Sequence, residues 1–421
     1  MNRNLSAFIC LSAVMFAAFI FAHVVFGAEE SKDEVQEAVR RMQQRIEQIR
    51  KEDPNNSFAV AAQYKVLFER FPRTIEGKMA AFEVYEIHRK AKRQQLALGT
   101  LALILTVYKD YETLINPLAS DKPIGICATA QIEMASMYSE DLGTPLIALE
   151  TLSRIPYRYP NQQVGILAGD RQYQGRAEVI ALWHTSRVQT AMGEPSNAIM
   201  TLRELCSTYP KEEVMVAEGK VLKVTELALH EVHRSLSASM GGLPRQLSDL
   251  SEFESLIRTP EDKVYMLFIK GELTLDAFVK FKTSGLAEEA CGYYLQVIDK
   301  FPALEIERGN IKRRPAVEAM ERIARVYEDY MGNPDHAVVE LDRLYSRFAS
   351  INEGSLAPYA LFIEAEVQHR HNNLEDASRN FLKVKNIAGN ALLYPSVKGQ
   401  ESTLTQKADE YTKEIEKERK K

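Results

Sequence analysis

The sequence predicts an all-α protein built from about seven irregular helix-turn-helix repeats, and three observations carry that expectation. First, a glycine is followed five residues later by an alanine, and twelve residues on by an aromatic residue with proline, in Gly143/Ala148/Tyr159-Pro160, Gly193/Ala198/Tyr209-Pro210 and Gly285/Ala290/Phe301-Pro302. A fourth copy, Gly332/Ala337/Phe348-Ala349, lacks only the proline. Second, large apolar residues recur four, seven and eleven positions after each alanine, which lays one stripe along three turns of a helix. Third, three of the glycines precede a proline by two residues, in Gly143-Thr144-Pro145, Gly193-Glu194-Pro195 and Gly332-Asn333-Pro334. Self-similarity at a spacing of a few tens of residues marks stacked repeats.

Taken in chain order, the first segment is a leader. Arg3 is followed by an uncharged run from Leu5 to Ala28 and then by Glu29-Glu30, the layout of an export signal. Cleavage after Gly27 puts Val25 at the minus-three site, and cleavage after Ala28 puts Phe26 there. The run is also long enough to span a bilayer. Residues 1–28 are therefore read as a signal peptide or an N-terminal membrane anchor, with residues 5–27 as the membrane attachment if uncleaved. Arg3 stays inside in either case, so the repeats are expected to be exported, in the periplasm or cell envelope. Cys10 falls too early in the run, after Phe8-Ile9, for a lipoprotein site.

Residues 29–53 follow as one helix. Val35, Val39, Met42, Ile46 and Ile49 alternate spacings of four and three, an a/d seam of about two heptads. Such a seam either covers the first repeat as a cap or associates with a second copy as a stalk.

The repeats occupy residues 54–235 and 263–398. Their anchors are Val60, Ala97, Ala148, Ala198, Ala290, Ala337 and Ala377, at strides of 37 to 92 residues. Position plus four holds Tyr64, Leu101, Leu152, Leu202, Tyr294, Leu341 and Phe381. Position plus seven holds Leu67, Ile104, Ile155, Leu205, Val297, Leu344 and Val384. Position plus eleven holds Phe71, Tyr108, Tyr159, Tyr209, Phe301, Phe348 and the weak Ala388. The small anchor admits a neighbouring helix, and the proline after the aromatic residue stops its own helix. The glycine supplies a left-handed turn that closes the preceding helix. Unequal strides mean insertions, of which Tyr157–Arg176 and Leu304–Pro315 are the most distinctive. Residues 236–262, rich in serine and containing Gly241-Gly242-Leu243-Pro244, break the pattern and read as a junction between two repeat blocks. Residues 399–421 form a charged tail, mobile or acting as a solvating cap.

This arrangement resembles the tetratricopeptide repeat, whose second helix carries the same alanine, apolar and proline positions after a glycine turn. The likeness covers residues 57–397 in seven copies, with Asn55, Lys92 and Asn372 standing where three copies lack the glycine. The aromatic-proline endings look most like exported envelope members of the outer-membrane assembly or Tol-associated type. The resemblance implies a right-handed α-α superhelix, and a non-enzymatic scaffold or adaptor that binds other proteins or peptides of the cell envelope in a groove lined by the first helices. Counting back three, seven and ten residues from the turn glycine gives the stripe opposite the apolar face. The candidate groove residues on it are Glu133, Ser136, Glu140, Trp183, Ser186, Arg322, Arg325 and Asp329. Trp183, the only tryptophan, is either an exposed anchor for a partner or is covered by the Tyr157–Arg176 insertion.

Several function classes are disfavoured. The net charge is −5, and without Arg3 the balance is 52 basic against 58 acidic residues, net −6, so no nucleic acid or other polyanion is expected. The basic triplet Lys312-Arg313-Arg314 reads as a solvated loop. No phosphate loop, dinucleotide fingerprint, H-E-x-x-H or nucleophile elbow occurs. His230-Glu231-Val232-His233 offers two histidines on one helix face without a third ligand. No catalytic residue, cofactor or metal is therefore expected. Cys127, Cys206 and Cys291 form no C-x-x-C and are expected to be unpaired. The alternatives to an adaptor are an oligomeric spacer that self-associates through the N-terminal helix, and an accessory docking protein for a cell-wall enzyme.

Overall fold

The computed structural model describes residues 32–115, 123–165, 173–216, 220–238, 242–308, 310–349 and 356–419. The leader and its cleavage sites lie outside the described residues. The chain divides into two compact units, residues 1–227 and 228–421.

The first unit opens with α1 (Lys32–Glu52) and continues through α2 (Ser57–Arg70), α3 (Ile75–Lys90), α4 (Gln94–Val107), α5 (Ile126–Ser136), α6 (Pro145–Arg158), α7 (Ala177–Ala191) and α8 (Pro195–Thr208). A π-helical turn, Met137–Asp141, prolongs α5. Helix α9 (Val224–Ser237) contains the division between the units, which therefore falls upstream of the 236–262 junction expected from composition. That stretch instead holds α10 (Leu243–Ser251). The second unit continues with α11 (Pro260–Phe281), α12 (Ser284–Lys300), α13 (Pro315–Arg325) with its π turn Val326–Tyr330, α14 (Pro334–Ala349), α15 (Ala357–Arg370), α16 (Leu374–Ile387) and α17 (Leu404–Glu418).

All seven anchors fall on second helices, namely α2, α4, α6, α8, α12, α14 and α16. The six alanines are fully buried and Val60 nearly so. The plus-seven residues are buried in every copy, and at plus four only Tyr64 is partly exposed. Burying a leucine or isoleucine of this kind contributes roughly 1.5–3 kcal/mol, so the stripe accounts for much of the stacking energy. The all-α helix-turn-helix solenoid class is thus the one observed.

The turns obey the same logic even where the glycine is missing. Gly143, Gly193 and Gly332 have φ of 61°, 77° and 62°, and Lys92 and Asn372 take the same conformation at 56° and 63°. The following residue then donates to a carbonyl five or six positions back, as in Arg93 N to His88 O at 2.8 Å and Asn333 N to Tyr327 O at 2.8 Å. Gly285 is the exception. It lies inside α12, and the left-handed residue closing α11 is Lys282, at φ 55°. This three-residue offset is why the first helix of that copy falls out of phase with the glycine register. A side chain at positive φ costs about 1 kcal/mol that glycine does not. Lys92→Gly is accordingly expected to raise stability by up to about 1 kcal/mol; an unchanged or lower denaturation midpoint contradicts this reading of the turn.

The insertions are β-hairpins. In the first unit, β1 (Thr113–Ile115) and β2 (Pro123–Gly125) follow α4, β3 (Gln163–Gly165) and β4 (Gln174–Arg176) follow α6, and β5 (Glu213–Val216) and β6 (Lys220–Lys223) follow α8. They join edge to edge in the order β1-β2-β3-β4-β5-β6. The β2–β3 pair is parallel and the others are antiparallel. Each hairpin is closed at its base by one repeated bond: Ile126 N to Glu112 O at 3.1 Å, Ala177 N to Gln162 O at 2.8 Å, and Val224 N to Glu212 O at 3.0 Å. Leu114, Ile124, Val164, Val214 and Leu222 point inward and are buried. In the second unit β7 (Ile306–Arg308), β8 (Ile311–Arg313) and β9 (Ser396–Val397) form a smaller sheet.

Both ends of the array are packed. Val39 and Ile46 of the α1 seam are buried and α1 packs on α2, so the seam covers the first repeat as a cap. The charged tail is ordered as α17, which starts with a Thr403/Gln406 capping box and buries Leu404, Ala408 and Ile415. Its Tyr411 stacks on Phe381 at 4.8 Å.

Candidate functional site

The predicted stripe has opposite fates in the two units. In the first unit the hairpins lie over the first helices: β1 packs on α3, β2 and β3 on α5, and β3 and β4 on α7. Glu133, Ser136 and Ser186 are buried at 2% exposure or less, and Trp183 is at 9%. These four positions do not form the exposed groove surface expected of them; of the first-unit candidates only Glu140 reaches solvent. The physical reason is Tyr173, which leads into β4. It packs edge-on to Trp183 at 6.4 Å and donates its hydroxyl to Glu133 Oε1 at 2.8 Å. Gly165 permits the close approach of β3: its N–H reaches Thr129 Oγ1 at 3.3 Å, and a Cβ there would meet Tyr173 O at 2.9 Å.

Beneath this cover lies a polar cluster. Tyr85 donates to Glu133 Oε2 at 2.6 Å, and Arg89 reaches the Tyr85 hydroxyl at 2.8 Å. The same guanidinium pairs with Glu140 at 2.9 Å and Asp141 at 2.8 Å. Burial pushes Glu133 up to about 7, with the tyrosine hydroxyls and Arg89 pulling it back. Burial, helped by Arg187 and Arg89, holds His184 down to about 3. Its Nε2 has no hydrogen-bond partner among the described residues, so protonation would leave a charge without compensation.

The two groups bias stability in opposite directions. Unfolded His184 takes its proton near 6.5 and the folded one only near 3, so its contribution is present above 6.5 and lost as pH falls. Folded Glu133 keeps a proton that the unfolded chain releases near 4.5, so its contribution is lost as pH rises towards 7. The melting temperature of the wild-type chain minus that of His184→Gln is therefore expected to shrink as pH is lowered below 6.5. A difference independent of pH contradicts the buried neutral imidazole.

In the second unit the stripe stays open. A cleft of about 400 Å³ is walled by β8, α11, α12, α13 and the Tyr394-Pro395 segment. Arg322 and Arg325, predicted from the register with Gly332, both line it, whereas Asp329 is exposed and does not. Arg322 is fixed: it hydrogen-bonds Glu318 at 3.0 Å, pairs with Glu272 and stacks over Phe268 at 4.5 Å. The basic triplet divides here. Lys312 pairs with Glu305 at 2.6 Å, and Arg314 donates to Pro302 O at 2.8 Å. Arg313 is exposed and lines the cleft. Among the described residues neither Arg313 nor Arg325 has a carboxylate within ion-pair distance. Burial pushes Glu321 up to about 7 against the pull of Arg325, and raises Glu318 as well. Tyr330, 45% exposed, and the buried Tyr394 also line the cleft. Sequence register had no hold on these two, because Tyr330 belongs to a π turn and Tyr394 lies beyond the end of α16.

No three metal-ligating side chains converge among the described residues, and no helix among them is long and apolar enough to cross a membrane. Cys127, Cys206 and Cys291 are buried and form no disulfide among the described residues.

Comparison with known proteins bears on the repeat unit. The tetratricopeptide repeat family matches residues 180–212, from within α7 to the turn after α8, which is the copy built on Gly193, Ala198 and Tyr209-Pro210. No curated protein matches the sequence. Similar solved structures include PilW, a widely conserved type IV pilus biogenesis factor, at 13% identity over 63% of this chain and 95% of that chain, with a TM-score of 0.34. Another is a tetratricopeptide repeat protein from Parabacteroides merdae ATCC 43184, at 11% identity over 90% of this chain and 99% of that chain, with a TM-score of 0.30. The chain is thus similar to tetratricopeptide repeat proteins over one matched repeat, and the same helix-turn-helix construction recurs at the six other anchors.

Proposed function

We propose that the chain is an exported, non-enzymatic adaptor that binds segments of other cell-envelope proteins through the cleft of its second unit. Stacked helical hairpins present surfaces for protein–protein interaction, and the observation that carries the reading is the open stripe of α13. Arg322 and Arg325 line a 400 Å³ cleft at the register where repeats of this kind take peptides, while the equivalent face of the first unit is covered. Export rests on Arg3 and the apolar run Leu5–Ala28. The packed α1 seam favours the adaptor over a self-associating spacer.

Two measurements test the proposal. A photo-crosslinking residue at Tyr330 is expected to join another envelope protein, whereas the same residue at Tyr157, 88% exposed in the first unit, does not. The same adduct from both positions, or none from Tyr330, contradicts the cleft as the binding site. Fusing residues 1–60 to alkaline phosphatase is expected to give periplasmic activity, and an inactive fusion contradicts export.

A further inference from the structure

Helix α4 differs from the six other second helices in what it turns to solvent. From Gln94 to Val107 it contains no charged residue, whereas α2, α6, α8, α12, α14 and α16 all do. A surface helix ordinarily sets charged and polar residues opposite its buried stripe. On α4, Gln95, Leu96, Gly99 and Thr106 are exposed, Leu96 at 50%, and Ala102 and Leu103 are half-buried on the same face. Thr100 and Thr106 turn their hydroxyls back onto Leu96 O at 2.8 Å and Ala102 O at 2.9 Å, so they present methyl groups. The starts of α2 and α6 adjoin the start of α4: Arg93 lies over the ring of Phe58 at 5.3 Å, and Gln94 donates to Asp141 O at 2.6 Å. Phe58, 60% exposed, and Leu146, 70% exposed, add apolar surface there.

Shape and charge point to one occupant, the same face of a second copy. Gly99 stands in mid-helix, where alanine is the more stable residue, yet a Cβ there would meet nothing within 4 Å. It leaves a notch in the surface, and Leu103 projects one turn further on. A two-fold interface sets a patch against itself, and a face without charges meets its copy without like-charge repulsion. Where two α4 helices cross antiparallel about an axis level with Leu101, Leu103 of each copy meets the notch at Gly99 of the other, and Leu96 meets the methyl group of Thr106. Gly292 holds the corresponding place on α12 but is half-buried, with exposed Glu288 and Glu289 on the same helix.

We propose that the chain forms a two-fold dimer through α4, with Leu103 of each copy seated at Gly99 of the other. The α1 seam, already packed on α2, takes no part. On the reading of the preceding subsection the dimer is a bivalent adaptor with two clefts, but its formation does not depend on that reading.

Sedimentation velocity of the full mature chain from about 1 to about 100 µM is expected to show a monomer–dimer equilibrium. Gly99→Leu fills the notch without meeting its own chain, and Leu96→Asp places a charge on the face. Each should weaken the dimer about tenfold, with circular dichroism confirming that the variants fold. A chain that stays monomeric throughout overturns the inference. A dimer that neither substitution weakens overturns α4 as its interface. A monomer that instead co-sediments with phosphatidylglycerol vesicles, and ceases to do so with Leu96→Asp, assigns the face to a lipid surface and overturns the second copy.

Discussion

Replacing Glu133 with alanine is expected to lower the melting temperature by on the order of 10 °C, the largest single effect predicted for the first unit. Glu133 is the one acceptor shared by Tyr85 from α3 and Tyr173 from the β3–β4 hairpin, and it faces Arg89. Removing it leaves the hydroxyls of Tyr85 and Tyr173 without this acceptor, at about 1–3 kcal/mol for each buried donor, while Arg89 keeps Glu140 and Asp141. Glu133→Gln keeps one oxygen acceptor and should lose clearly less. Tyr173→Phe should lose less again, since the ring against Trp183 remains. Thermal denaturation orders the three variants. If alanine and glutamine are equivalent, the hydrogen bonds at Glu133 do not hold the hairpin down.

The second large effect reverses a general rule. Glycine to alanine inside a helix usually stabilises by roughly 0.5–1 kcal/mol. Gly271, within α11, faces Tyr294, and a Cβ there would stand 2.4 Å from Cε1 of that fully buried ring. Tyr294 is the plus-four residue of its repeat and packs against Phe268 at 6.1 Å, so Gly271→Ala should destabilise by about 2 kcal/mol through overpacking. Gly292, within α12, has nothing within 4 Å of a Cβ, and Gly292→Ala should stabilise. Chemical denaturation of both variants checks the pair. A stabilised Gly271→Ala variant would contradict the close packing of α11 on α12.

The contrast between what the sequence disclosed and what it concealed follows from how local each signal is. The seven second helices were legible because one stripe of small and large apolar residues specifies both the helix and its packing partner. Lys92 and Asn372 reproduce the glycine turn without glycine, so the offsets from the anchors were a better guide than the turn residue itself. Gly285 shows the converse, a matching residue without the turn. The hairpins were not legible as strands. Three or four residues are too few for a period of two to stand out, and the hairpins join one another only through single pairings between successive repeats, Ile124 with Gln163 and Gln174 with Met215. Burial of Glu133, Ser136, Trp183 and Ser186 depends on those strands, so a register that placed the side chains on the correct helix face could not say that another layer covers that face. On α13, where nothing of that kind lies over the stripe, the same register led directly to Arg322 and Arg325.

Hairpins close the first-helix face of the first unit, and the proposed recognition by the cleft of the second unit rests on that contrast. Trp183 is the only tryptophan of the chain, so acrylamide quenching of its fluorescence in the full-length protein reads that closure directly. Burial under Tyr173 predicts blue-shifted emission with little quenching. Red-shifted, readily quenched emission would mean that the first unit presents an open groove with an aromatic anchor, and would contradict that closure.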